Sequence, residues 1–168
     1  VEAPTPGPGE VVVDVCAASV NPIDWKVRSG AMSGVMPTTF PATTGRDGAG
    51  VIAAVGEGVD PRRLGERVCF LAGRGVGTWA DKILLPKDLA VPIPDGLSFV
   101  DAAALPLAGL SAWIPLAVAA PVGPGMRVLV HAGAGGVGSL GVQIARERGA
   151  WVAATCSARN AGFVRSLG

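Results

Sequence analysis

The stretch Gly133-Ala134-Gly135-Gly136-Val137-Gly138 matches G-x-G-x-x-G, and its setting constrains the chain more than any other feature. By itself the pattern is weak among 25 glycines. Here it follows an apolar run, Met126–Ala132, that reads as a buried strand. It opens the segment Val137–Arg148, whose Val137, Leu140, Gly141, Ile144 and Ala145 fall on one helical face. Gly149 reads as the C-terminal cap of that helix and Trp151–Thr155 as a second strand; Ser157 then caps another helix running to Leu167. Strand, glycine loop, helix and strand make a βαβ unit. In it Gly133 permits a tight turn, Gly135 lets backbone amides approach a diphosphate, and Gly138 lets the helix lie close to the strand. The helix start, at Gly136 and Val137, adds unpaired N–H groups and a partial positive charge. The motif points to dinucleotide binding, with a purely structural glycine turn as the alternative.

The end of the second strand bears on which dinucleotide. Sites for NAD place Asp or Glu there for the ribose 2′-hydroxyl, whereas this chain offers Thr155-Cys156-Ser157-Ala158-Arg159. A 2′-phosphate would be repelled by a carboxylate and welcomed by Ser157 and Arg159, which favours NADPH over NADH. The plainer alternative makes Ser157 a helix cap only and Arg159 a solvated first-turn charge.

Upstream the pattern differs. Pro4 to Gly9 form a turn-rich entry, Glu10–Ala18 reads as a strand, and Asn21-Pro22 stops it before a short helical turn, Ile23–Ser29, closed by Gly30. Further strands are expected at Gly48–Val55, Glu66–Leu71, Thr78–Leu85 and Ala90–Ile93, so residues 1–94 read as β-rich and barrel-like. Ser98-Phe99-Val100-Asp101 resembles a capping box and starts helix. Leu105-Pro106 and Ile114-Pro115 cut the following segment into short pieces, and Pro121–Gly125 turns the chain toward the glycine-loop strand. The expected division is a first lobe over 1–97, a helical bridge over 98–125 and a dinucleotide lobe from 126 to 168.

Composition excludes several classes. Lys and Arg number 14 against 13 Asp and Glu, a formal charge of +1, too small for a phosphate-neutralising nucleic-acid face. Ala102–Met126 carries no charge and is long enough to span a bilayer, but Pro106, Pro115, Pro121 and Pro124 break it, so buried helices at a domain junction are expected and no membrane partner. Cys16, Cys69 and Cys156 are odd in number and far apart, which fits a reducing, cytoplasmic setting. Val1–Gly9 has neither the basic start nor the apolar stretch of a signal peptide, although a missing natural N-terminus would hide one.

Four stretches together resemble the medium-chain dehydrogenase/reductase superfamily, in its zinc-independent quinone oxidoreductase branch related to zeta-crystallin and to enoyl reductase domains. They are Asn21-Pro22-Ile23-Asp24-Trp25-Lys26-Val27-Arg28-Ser29-Gly30, Gly45-Arg46-Asp47-Gly48-Ala49-Gly50-Val51, Ala102–Trp113 and Val128–Gly138. The resemblance implies an α/β chain: a β-rich catalytic lobe of GroES-like fold, then the first part of a Rossmann lobe, with the active site in the cleft between them. It implies an NADPH-dependent reductase of quinones or α,β-unsaturated carbonyl compounds. An NADPH-binding sensor without turnover, or an enoyl reductase module of a larger synthase, stand as alternatives.

Zinc members of the superfamily use Cys, His and a further Cys, Asp or Glu. This chain has one histidine, His131, and no cysteine cluster, so no metal site is expected. His131 reads as structural, with a minor role near the cofactor as the alternative. The resemblance brings Asn21, Asp24, Arg28 and Gly30 to the active-site side. Asn21 is expected as a polar donor near substrate or nicotinamide and Trp25 as a pocket wall. Asp24 and Arg28, at i and i+4, are expected either to act there or to pair with each other and hold Asn21. Ser111 stands where family members often carry Thr and is expected to contact the cofactor. The chain has no tyrosine, so proton delivery falls to water or another donor. The resemblance also implies that both ends are missing. Two parallel strands cannot bury both faces of a sheet, so the exposed edge needs the missing segment or a partner, a homodimer included.

Overall fold

The computed structural model describes residues 3–73 and 75–168. Val1, Glu2 and Arg74, which the expected first lobe includes, lie outside the described residues. The chain divides into two units, Val1–Pro106 and Leu107–Gly168.

In the first unit β-branched residues at alternate positions drive the sheet. β1 (Glu10–Ala18) pairs antiparallel with β2 (Asp47–Val55) on one side and β4 (Lys82–Pro86) on the other. β3 (Arg67–Leu71) and β5 (Ala90–Pro92) extend it, giving the order β4-β1-β2-β3-β5. Val11 and Val13 of β1 face inward with Leu85 and Ile83 opposite them, and Ile52, Val68, Phe70 and Ala90 complete the core. Edge strands β4 and β5 are joined by only the 3₁₀ turn Lys87–Leu89. Five strands laid flat would be about 19 Å wide at a spacing near 4.8 Å, while a turn of that kind advances roughly 2 Å per residue. The sheet therefore rolls up, as the barrel-like reading expects. Arg63 pins the joint, donating from Nη1 to the Lys87 carbonyl (2.9 Å) and from Nη2 to that of Ala90 (2.6 Å), and pairing with Glu66 at 2.6 Å.

Two short helices complete this unit. α1 (Pro22–Arg28) has Pro at its first position and is closed by Gly30 at φ 78°, whose amide bonds the Val27 carbonyl. α2 (Phe99–Ala103) is capped by Ser98, whose Oγ accepts from the Asp101 amide at 3.1 Å. Ala102 and Ala103 are buried against Ala49 and Ile93, so α2 packs on the sheet. The strand expected from Thr78 begins only at Lys82, because the Thr78 and Trp79 amides bond instead to the carbonyls of Gly45 and Thr44.

The second unit opens within α3 (Pro106–Trp113), at Leu107, and continues through one wide π turn, Ile114–Ala119. Pro115 does not break the segment there. Lacking an N–H, it leaves a regular helical bond unmade, and the Ala120 amide reaches back five residues to the Pro115 carbonyl (3.0 Å). Among the described residues no helix is long and apolar enough to cross a membrane. β6 (Arg127–Val130) and β7 (Trp151–Ala154) pair in parallel and are joined by α4 (Gly136–Glu147). α4 ends at Gly149, φ 83°, with the Gly149 amide on the Arg146 carbonyl and that of Ala150 on Ala145, the paired bonds of a Schellman cap. After β7 a 3₁₀ turn, Ala158–Asn160, precedes α5 (Ala161–Ser166). Ser157 takes the N-cap backbone conformation, but its side chain makes no capping bond.

Candidate functional site

In the first unit, polar side chains meet where β1 runs into α1. Asp47, at the start of β2, is fully buried. Its Oδ1 accepts from the Ser19 hydroxyl and, at 2.7 Å, from Asn21 Nδ2. Asn21 Nδ2 also donates to Ser19 Oγ at 2.8 Å. The side-chain nitrogen of Asn21, expected to face a bound molecule, thus donates inside this cluster. Trp79 closes it, donating from Nε1 to the Ser19 carbonyl at 2.9 Å.

Asp24 is nearly as buried as Asp47. Its Oδ2 accepts from the Asn21 backbone amide at 2.7 Å, which with the Asn21 side chain over the Asp24 amide makes a capping box, while Oδ1 is buried without a hydrogen-bond partner. The expected Asp24–Arg28 ion pair does not form. Asp24 turns inward toward the helix start, and Arg28, one turn on, is exposed. Burial pushes the Asp24 carboxyl above the ordinary aspartate range, and nearby Asp47 adds to this. The Asn21 amide and the Arg46 guanidinium act the other way. A raised value means that the folded chain holds the proton more tightly than the unfolded chain. This carboxyl therefore favours folding below its unfolded pKa and disfavours it once pH passes the folded value. Asp24→Asn keeps an acceptor oxygen for the Asn21 amide and removes the buried charge. Its melting temperature should equal or exceed that of the unsubstituted chain at pH 7, the difference closing as pH falls toward 4. A large loss of stability at pH 7 would show that the charge itself is needed.

Asp24 and Val27 form one wall of a cavity of about 1170 Å³ that also takes in Thr43, Thr44 and Arg46. Arg46 donates from Nη1 to the Gly73 carbonyl at 3.0 Å. Gly45, at φ 94°, has no room for a side chain: a Cβ there would fall 2.3 Å from Thr78 Oγ1 and 2.6 Å from the Trp79 ring. Trp25 and Arg28 stand apart from this cavity. Trp25 is exposed, with Lys26 Nζ 5.7 Å from its ring centre. Of the four residues expected at the substrate side, the fold joins Asn21 and Asp24 and leaves Trp25 and Arg28 exposed. Ser19, Asp47 and Trp79 were missed. Asp47 stood in the Gly45–Val51 stretch, and a carboxylate opening a run of small and apolar residues was the available signal.

The second unit carries the glycine loop. Ala132, not Gly133, takes the left-handed conformation that makes the turn, at φ 55°. Gly133 is needed instead for close approach, since a Cβ there would sit 2.9 Å from that of Ala154 on β7. At Gly138 it would sit 2.2 Å from the Ala132 carbonyl oxygen, so this glycine lets the first turn of α4 close onto the loop. The amides of Gly136, Val137 and Gly138 begin α4, and the first intrahelical bond is that of Ser139 to the Gly135 carbonyl at 2.8 Å. A diphosphate fits this arrangement: three amides at a helix start, beside a surface that side chains would otherwise fill.

Ser111, His131, Gly135 and Gly138 line a second cavity of about 400 Å³. Ser111 already donates to the Leu107 carbonyl (2.7 Å), which leaves its oxygen as an acceptor. His131 Nδ1 lies 3.1 Å from Thr155 Oγ1, which also accepts from the Ala132 amide at 3.2 Å, so this pair ties the end of β6 to that of β7. Ser157 and Arg159 are exposed just beyond β7, and Arg159 enters none of the ion pairs among the described residues. No three His, Cys, Asp or Glu side chains among the described residues form a group that could hold a metal ion. Cys16, Cys69 and Cys156 are free thiols, and burial pushes that of Cys69 up.

Residues 7–95 match the family of the alcohol dehydrogenase GroES-like domain. A chloroplast envelope quinone oxidoreductase homolog of Arabidopsis thaliana is 39% identical over 174 residues, spanning 100% of this chain and 53% of its own. The crystal structure of an alcohol dehydrogenase superfamily protein from Novosphingobium aromaticivorans superposes with a TM-score of 0.95 at 38% identity, over 100% of this chain and 52% of that one. That of the CurK enoyl reductase does so with a TM-score of 0.90 at 35% identity, over 100% and 52%. The chain spans about half the length of these relatives. With the GroES-like match across its first unit, the chain belongs to the medium-chain dehydrogenase/reductase superfamily, in its quinone oxidoreductase branch.

Proposed function

We propose that the intact protein is an NADPH-dependent oxidoreductase that reduces quinones or α,β-unsaturated carbonyl compounds without a metal. The observation that carries the reading is the cradle of Gly135, Gly136 and Gly138 at the start of α4, in a chain related to a quinone oxidoreductase homolog. When bound, the nicotinamide supplies a hydride to the electron-poor carbon or quinone, and a solvent proton completes the reduction. The chain's own part is to bind and to orient. The amides of Gly136, Val137 and Gly138 hold the diphosphate. Ser157 and Arg159 take the 2′-phosphate, and Ser111 offers its oxygen to the cofactor. Asn21 contacts the substrate or the nicotinamide, with Asp24 holding its backbone, and the exposed Trp25 and Arg28 border the substrate. The three free thiols suit a reducing compartment such as the cytoplasm.

Oxidation of NADPH by the intact protein, followed with a panel of quinones, enones and enoyl thioesters, tests this. Turnover of quinones or simple enones supports it. Turnover confined to enoyl thioesters favours a synthase module, the second reading that the likeness to an enoyl reductase suggests. Binding without turnover of any acceptor would make the protein a sensor. Arg159→Ala tests cofactor choice separately. It removes a charge-assisted contact of about 1.5 to 3 kcal/mol, so NADPH affinity should fall roughly ten- to a hundredfold while that for NADH barely moves. Equal losses for both dinucleotides would overturn the assignment of Arg159.

A further inference from the structure

We propose that Thr155 is a positioning residue for the dinucleotide site: its hydroxyl oxygen holds the Ala132 amide off the β6–β7 ladder and so fixes the left-handed turn on which the glycine-loop amides are mounted. That the loop holds a dinucleotide rests on the oxidoreductase reading above; the clamp itself does not.

The ladder shows the displacement. Val130 pairs with Ala154, so the residue opposite Thr155 is His131. In a regular parallel pair Thr155 would bond the residues on either side of His131, donating to the Val130 carbonyl and accepting from the Ala132 amide. The first bond is present at 3.0 Å. In place of the second, the Thr155 carbonyl accepts from Gly133, one residue further on, at 2.8 Å. Ala132 is thus an extra residue at the strand end, as in a β-bulge. Its amide goes to Thr155 Oγ1 at 3.2 Å, so the side chain stands in for the carbonyl of the same residue. The bond holds with either tautomer of His131. Oγ1 has two lone pairs and one proton, and His131 Nδ1, 3.1 Å away, can use the second lone pair or the proton.

Ala132 needs the hold. It is the one residue other than glycine with a positive φ among the described residues, at 55°, a strained conformation for alanine that persists only where the surroundings impose it. Its carbonyl in turn accepts from the Gly135 amide at 2.8 Å and lies so close to Gly138 that no side chain fits between them. If Ala132 relaxed to a negative φ, that carbonyl would leave Gly135, and the amides of Gly136, Val137 and Gly138 would lose the seat of their turn. In this role Thr155 touches no cofactor atom; it acts through Ala132.

Thr155→Val keeps the branched shape and removes the acceptor. The affinity of the intact protein, read by calorimetric titration, should fall about tenfold for NADPH and for NADH alike, because the clamp serves the diphosphate they share. Thr155→Ser keeps the oxygen and should stay within about threefold of the unsubstituted protein. The decisive comparison adds Ala132→Gly, since glycine takes the left-handed turn without a clamp. In that background Thr155→Val should cost no more than about threefold. A loss in Thr155→Ser equal to that in Thr155→Val, or a loss that persists undiminished beside Ala132→Gly, overturns the proposal. Backbone-amide exchange on the intact, unliganded protein gives an answer that needs no cofactor. Corrected for intrinsic rates, the Ala132 amide should exchange at least about tenfold more slowly than that of Val137, which makes no hydrogen bond among the described residues. In Thr155→Val the protection at Ala132 should vanish while that at Gly133, whose partner is backbone, remains. Protection at Ala132 that survives the substitution overturns the proposal. If the intact protein binds neither dinucleotide, the oxidoreductase reading falls, and the exchange rates then decide by themselves whether Thr155 holds Ala132.

Discussion

Gly138→Ala should abolish dinucleotide binding by the intact protein. The added methyl group would lie 2.2 Å from the carbonyl oxygen of Ala132 and 2.8 Å from its carbon. Both atoms are backbone, and Ala132 is already held in a left-handed turn whose carbonyl accepts from the Gly135 amide at 2.8 Å. Neither can give way by rotating a side chain, so the first turn of α4 must lift off the loop. Overpacking of this kind costs about 1–3 kcal/mol of stability. The larger effect falls on binding, because the amides of Gly136, Val137 and Gly138 move with that turn. A displacement near 1 Å in a positioning group costs on the order of a hundredfold, and the affinity for either dinucleotide should fall by at least that much. Gly162→Ala in α5, outside the cradle, is the control. A Cβ there meets nothing within 4 Å, so binding should stay within a few-fold. Calorimetric titration of both variants checks the contrast, and equal losses would mean that the effect does not come from the glycine loop.

Phe70→Ala should cost the first unit about 3–5 kcal/mol, the range for deleting a buried phenylalanine side chain. Phe70 is the largest of the fully buried side chains, and its ring lies over the backbone of its cross-strand partner Gly48, where a Cβ would meet ring atoms at 3.0 Å. Gly48 thus makes room for the ring, and removing the ring leaves a void that neither strand can close. Folded domains are stable by only about 5–15 kcal/mol, so the substitution should shift the denaturation midpoint of this unit strongly. Gly48 immediately follows Asp47, so the loss should also loosen the Asn21 cluster. A change below about 1 kcal/mol would show that the strands close over the void.

What local chemistry determines is legible in the sequence. The strand–glycine loop–helix–strand order, the Schellman cap at Gly149, the cap at Ser98 and the turn at Gly30 all depend on backbone preferences of residues close in sequence, so reading neighbours sufficed. The β-rich first unit was legible for the same reason, and the family resemblance added the whole architecture at once. Tertiary packing decided the rest. Thr78 and Trp79 read as strand, yet their amides turn to Gly45 and Thr44, more than thirty residues upstream. Asp24 and Arg28 have ideal spacing for a pair, but burial beside the Asn21 amide draws Asp24 inward. Ala132 takes the turn assigned to Gly133, and Gly133 instead is pressed against β7. Above all, Asn21 lies within a few residues of Ser19 and Asp24, but its side-chain nitrogen also donates to Asp47, 26 positions away. Which way a side-chain amide faces depends on the donors and acceptors brought to it through space, and no spacing along a chain records them.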